Sequence, residues 1–187
     1  LNKTYPTMHN YLPTDKMAEL ISEDYNLLQV MSRFNIPLGV KEKSVDEVCR
    51  QNGVDTDTFL AVLNFVGNDC NHKYIAEPET ICLPSLMNYL RQAHSYFLDF
   101  SFPAIRRKLI DAVGNGAEGE SALLILQYFD NYVREVREHF DCENSVVFPY
   151  IDSLMANNPS SFNINTFSAR HDPAAKKLTE LKNIIIR

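Results

Sequence analysis

Apolar residues in this chain recur at spacings of three and four, and β-branched alternation is scarce, a periodicity that predicts helix nearly throughout. The polar, proline-bearing stretch "NDCNHKYIAEPETICLP" divides the chain into a small helical module at 1–69, a linker at 70–84 and a longer-helix bundle at 85–187. In the module, "PTDKMAELISEDY" predicts a first helix capped by Thr14 or Asp15. "YNLLQVMSRF" places Leu27, Leu28, Met31 and Phe34 on one stripe, and "NIPLGVKEK" is a loop. "SVDEVCRQNG" carries a capping box, Ser44 with Glu47, and a terminating Gly53. "VDTDTFLAVLNFVG" is capped near Asp55 and ends at Gly67. After the linker the first long helix spans about 85–113 and must kink or split at Pro103, which removes a backbone donor and crowds the preceding turn. The second spans about 120–155 with a disturbance at Pro149, and the third starts between Asn165 and Pro173 and runs to Arg187. Long helices joined by short loops predict an all-α, antiparallel up-down bundle. The third helix is strongly apolar at Leu178, Leu181, Ile184, Ile185 and Ile186, and the chain stops inside it. Three long helices bury their stripes poorly, so a continuation of the chain, a second chain or the small module is expected to complete the core.

Composition adds limits. The 187 residues, 45% hydrophobic and 22% charged, suffice for one medium domain or two small ones. The formal net charge of −6 argues against a general nucleic-acid binder, which needs a basic face. The basic cluster Arg106, Arg107, Lys108 reads as a solvated face. "DEVCRQNGVDTDTFLAV" imitates a helix-turn-helix, but its second helix opens acidic, which is wrong for reading DNA. No apolar run reaches bilayer-spanning length, and "LNKTYPTMHN" lacks the features of a signal peptide. Cys49, Cys70, Cys82 and Cys142 show no metal-ligand spacing; free thiols in a reducing compartment, the cytoplasm, are expected. A Gly-rich phosphate loop and a GxSxG nucleophile are both absent from the sequence.

The candidate chemistry lies in the histidines. His9 and His72 fall in polar, loop-like segments. The other three fall one per long helix. His94 shares a stripe with Met87, Leu90, Phe97 and Leu98, and His139 with Tyr132, Val136, Glu143 and Val147. His171 precedes Leu178, Leu181 and Ile185 by whole turns. Three inward histidines at one level of a bundle can converge on a metal, and Glu143, one turn after His139, adds a carboxylate. Imidazole with carboxylate suits iron, manganese or zinc. The same pattern also fits hydrogen-bonded core histidines. Tyr96, Tyr128 and Tyr132 lie near this level, either as core aromatics or as phenols facing a bound oxygen species. Cys142 points about 100° away from Glu143 and is not a candidate ligand.

"QAHSYFLDFSFPAIRRKL", "VREVREHFDCENSVVFPYID" and "RHDPAAKKLTELKNIII" together resemble the hemerythrin-like HHE family of cation-binding domains. The likeness covers roughly 85–187. The N-terminal module, through "LLQVMSRFNIPLGVKEKSVDEVCRQNGVDTDTFLAVLN", is similar to the small helical domain of iron–sulfur cluster repair di-iron proteins. The resemblance implies a four-helix bundle, three of whose long helices are present, around a non-haem di-iron centre. His94, His139, Glu143 and His171 are the matching metal ligands. It implies O₂ or NO reactivity or sensing, a role in stress response or iron–sulfur cluster repair, and iron–sulfur proteins or a homo-oligomer as partners. Three departures stand out. The family's fourth helix carries a further His and carboxylate, and the sequence ends before it. The segment "NIPLGV" lacks the repair proteins' cysteines, and Pro173 and Ala175 replace an acid-bearing turn. These departures fit an alternative, a helical regulatory or adaptor protein with a degenerate metal site; a DNA-associated regulator is a weaker third.

Overall fold

A computed structural model of the chain describes residues 10–67, 78–114 and 120–158. The fold is all-α. Among the described residues no strand forms; Lys16 and Ser44 make a single isolated backbone bridge. These residues belong to two compact units divided between Ala93 and His94.

The first unit holds four short helices: α1 (Met17–Glu23), α2 (Leu27–Arg33), α3 (Val45–Gln51) and α4 (Thr56–Gly67). The α3 start is the predicted capping box: the Glu47 amide donates to the Ser44 hydroxyl, and the Ser44 amide to the Glu47 carboxylate. Ser44→Ala should lower stability by about 1 kcal/mol, read as a shift of the urea midpoint with unchanged slope. Asp55 caps α4 through the Thr58 amide at 2.8 Å. α2 and α3 both end in Schellman turns, with Asn35 (φ 57) and Gly53 (φ 66) in the left-handed position. The amides of Ile36 and Val54 reach back to the carbonyls of Met31 and Cys49.

The start of α1 differs from expectation. Neither Thr14 nor Asp15 caps it; the N-cap is Lys16, with no side-chain cap bond. Asp15 spends its carboxylate on the Leu12 amide, and backbone bonds replace the cap. The Met17 amide donates to the Lys43 carbonyl and the Val45 amide to the Asp15 carbonyl, tying α1 to the segment that opens α3.

The core of this unit is mostly apolar. Met17, Leu27, Val30, Val45, Phe59 and Leu63 are fully buried, and Tyr89 of α5 (Leu83–Tyr96) joins the same cluster. Two buried polar groups are satisfied: Asn64 exchanges hydrogen bonds with the Tyr11 backbone, and the Thr58 hydroxyl links Asp55 to the Cys82 amide. Burial pushes the Cys49 thiol up from its usual 9.0 to about 12, against the opposing hydrogen bond with Thr56. In this range the unfolded chain binds fewer protons than the folded one, so stability falls with rising pH. The contribution is complete below about pH 9 and is lost between there and about pH 12. Cys49 should resist a thiol reagent at pH 8 until the protein is unfolded, while Cys49→Ala should flatten the stability loss above pH 9. Cys49, Cys82 and Cys142 are free thiols.

The second unit is built on two long, interrupted helices. The first continues from the end of α5 through a π-helical turn (Phe97–Ser101) into α6 (Phe102–Gly114). The second is α7 (Glu120–Cys142), a π-helical turn (Glu143–Val147) and α8 (Phe148–Met155). The two predicted disturbances therefore have one form. Pro103 and Pro149 lack the amide that would bond to the carbonyl four residues back, and each ring crowds that carbonyl. The chain widens to an i→i+5 turn, in which the Phe102 amide reaches the Phe97 carbonyl and the Phe148 amide reaches Glu143.

These helices run antiparallel, because partners fall in number along one as they rise along the other. Arg106 pairs with Asp130, Phe102 packs edge-on against Phe129 and Tyr132, and His94 stacks on Phe140. The core here is Phe102, Phe129 and Val136. Of the basic cluster, Arg106 is exposed yet engaged: its guanidinium makes two bonds to Asp130, at 2.7 and 2.9 Å, and holds that carboxyl below the usual carboxylate range. No helix among the described residues is long and apolar enough to cross a membrane.

Candidate metal centre

The antiparallel register brings His94, near the end of α5, opposite the junction of α7 with its π turn. The stripes inferred from spacing hold: Met87, His94, Val136 and Val147 are buried, and Phe97, Leu98 and Tyr132 pack onto the second-unit core.

Glu143 is the hub. Its Oε2 lies 3.0 Å from His94 Nε2, and its Oε1 lies 3.2 Å from His139 Nε2. One carboxylate thus faces an imidazole with each oxygen, one from the opposite helix and one from its own preceding turn. The His94 side chain is 6% exposed, Glu143 16% and His139 32%, so the cluster opens toward solvent on the His139 side. Holding a carboxylate here costs desolvation energy, and the two imidazoles offset it.

Two aromatic rings hold the plane of His94. Phe140 stacks on it at 3.9 Å between centroids with a 12° tilt, and Phe148 lies nearly parallel at 5.7 Å. The other ring nitrogen, Nδ1, is 3.2 Å from Asn144 Oδ1. Spacing pointed to His94, His139 and Glu143 but not to Asn144, Phe140 or Phe148. The asparagine follows Glu143 directly, and in a regular α-helix adjacent residues diverge by about 100°. Its approach depends on the π turn, for which Pro149 was the available signal.

His171 lies outside the described residues, as do His9, His72 and Cys70. Among the described residues no group of three or more His, Cys, Asp or Glu side chains could hold a metal ion. His94, Glu143 and His139 meet in pairs, through opposite oxygens of one carboxylate, rather than around a common point. Tyr128 and Tyr132 pack against the Phe102, Phe129 and Val136 cluster, and burial raises the Tyr132 phenol above its ordinary value. Cys142 makes no part of the His94–Glu143–His139 chain.

No curated protein and no solved structure matched the chain. A family model, the hemerythrin HHE cation binding domain, matches residues 85–187. That match spans more than half of the sequence and contains both long helices of the second unit together with the histidine–carboxylate cluster. The chain belongs to the hemerythrin HHE cation-binding domain family.

Proposed function

We propose that this cation-binding chain holds a non-haem di-iron centre that reacts with or senses O₂ or NO, in stress response or iron–sulfur cluster repair. His94, His139, Glu143 and His171 are the ligands in this reading. The observation that supports it most is the single carboxylate with one oxygen on each of two imidazoles.

The donor spacing fits metal ions. Two donors about 2.1 Å from one ion and at right angles lie about 3.0 Å apart. The two Nε2–carboxylate distances, 3.0 and 3.2 Å, match that edge. Each ion would take one imidazole and one carboxylate oxygen here, which is why no three donors surround one point among the described residues. Bound iron would supply the redox reactivity toward O₂ or NO. The chain's own residues set the surroundings. The negative charge of Glu143 is shared between two cationic positions, lowering their mutual repulsion. Phe140 and Phe148 keep water from the faces of His94 and fix its plane.

A second reading, a helical adaptor whose metal site no longer closes, draws on the same absence of a three-donor group among the described residues. Iron content and an optical spectrum of anaerobically prepared protein separate the two. The di-iron reading expects two iron ions per chain and near-ultraviolet absorption that azide or NO perturbs. Iron below that stoichiometry, with no such band, would overturn it in favour of the adaptor.

A further inference from the structure

We propose that Asn144 is a positioning residue for the metal centre: its side-chain oxygen holds the Nδ1 edge of His94 so that Nε2 faces the ion shared with Glu143. The inference rests on the di-metal reading of the site. Stacking on Phe140 at 3.9 Å fixes the tilt of the imidazole, but a flat aromatic face leaves the ring free to turn within its own plane. Two directional contacts lock that rotation. Glu143 Oε2 stands 3.0 Å from Nε2, and Asn144 Oδ1 stands 3.2 Å from Nδ1. With Nδ1–H donating to Asn144, Nε2 turns its lone pair toward a carboxylate oxygen. Two acceptors then stand 3.0 Å apart, and a cation bound to both of them satisfies them.

The π turn makes this possible. A turn closed by i→i+5 bonds has more residues per turn than an α-helix, so neighbouring side chains diverge less. Glu143 and Asn144, adjacent in sequence, both reach one imidazole because Pro149 widens this turn. A hydrogen bond to the outer nitrogen of a ligating histidine fixes its orientation, and its loss lowers metal affinity 10–100-fold. Asn144 is exposed, so water competes for its oxygen and the effect belongs at the lower end of that range.

The test is anaerobic Co(II) titration of the full chain as wild type, Asn144→Leu, Asn144→Asp and Glu143→Ala. Asn144→Leu keeps the branching at Cγ and loses the acceptor; it should bind Co(II) about tenfold more weakly. Asn144→Asp restores an acceptor and should bind at least as tightly as wild type. The proton NMR spectrum of the Co(II) form adds a readout that a merely structural role would not move. A hyperfine-shifted, solvent-exchangeable ring N–H of His94 should be present in wild type and Asn144→Asp and lost in Asn144→Leu. Wild-type binding that Glu143→Ala abolishes but Asn144→Leu leaves unchanged overturns the positioning role alone. Wild-type binding that Glu143→Ala leaves intact overturns the site reading itself. If Asn144→Leu fails to fold, the wild-type spectrum decides, and the absence of the His94 N–H resonance overturns the proposal.

Discussion

Glu143→Ala should strip the proposed di-iron centre of its metal, lowering the metal content of protein purified under identical conditions by more than about tenfold. The size of the effect follows from the position of the residue. Each carboxylate oxygen faces a different imidazole, so one substitution removes a donor from both proposed ion positions at once. Outer-shell changes alone cost 10–100-fold in affinity, and loss of a shared ligand exceeds that. The same substitution should leave the metal-free protein folded. Two histidine–carboxylate contacts disappear, but so does the desolvation of a part-buried carboxylate, and the terms oppose each other. His139→Ala, at the more open end of the cluster, should cost less metal than Glu143→Ala. The check is metal analysis alongside far-ultraviolet circular dichroism; unchanged iron in folded Glu143→Ala removes Glu143 from the site.

The second large effect concerns the N-terminal unit. Phe59→Ala should destabilise it by about 3–5 kcal/mol. The ring is fully buried and packs 5.2 Å from that of Phe34, so truncation leaves a cavity in the cluster that also holds Met17, Leu27, Val30 and Leu63. Since domains are stable by only about 5–15 kcal/mol, most of the margin goes. Leu38→Ala is the matching control: Leu38 is 76% exposed, and its loss should stay within about 0.5 kcal/mol. Urea unfolding of both variants tests the pair, and a Phe59→Ala loss under about 1.5 kcal/mol would contradict the packing described.

What could be read from the sequence was local. The Ser44–Glu47 capping box, Gly53 as a terminator and Asp55 as a cap each depend on residues within a turn of one another, and each forms as expected. The expected cap of α1 failed because its first amide, that of Met17, is met by chain some 26 residues away, at Lys43, which no local pattern encodes. The site divides in the same way. His139 and Glu143 share a face by their spacing of four, and the stripe containing His94 pointed to the core. That His94 meets Glu143 follows from the antiparallel register of two helices. That Asn144 joins them follows from an i→i+5 turn, of which Pro149 showed only the place and not the consequence.

The most direct measurement is anomalous diffraction at the iron edge from crystals of the iron-loaded chain. Two peaks are expected beside the Glu143 carboxylate, one bonded to His94 Nε2 and one to His139 Nε2. Iron found elsewhere, or a Glu143 that keeps its direct contacts to both imidazoles with no peak between them, would contradict it.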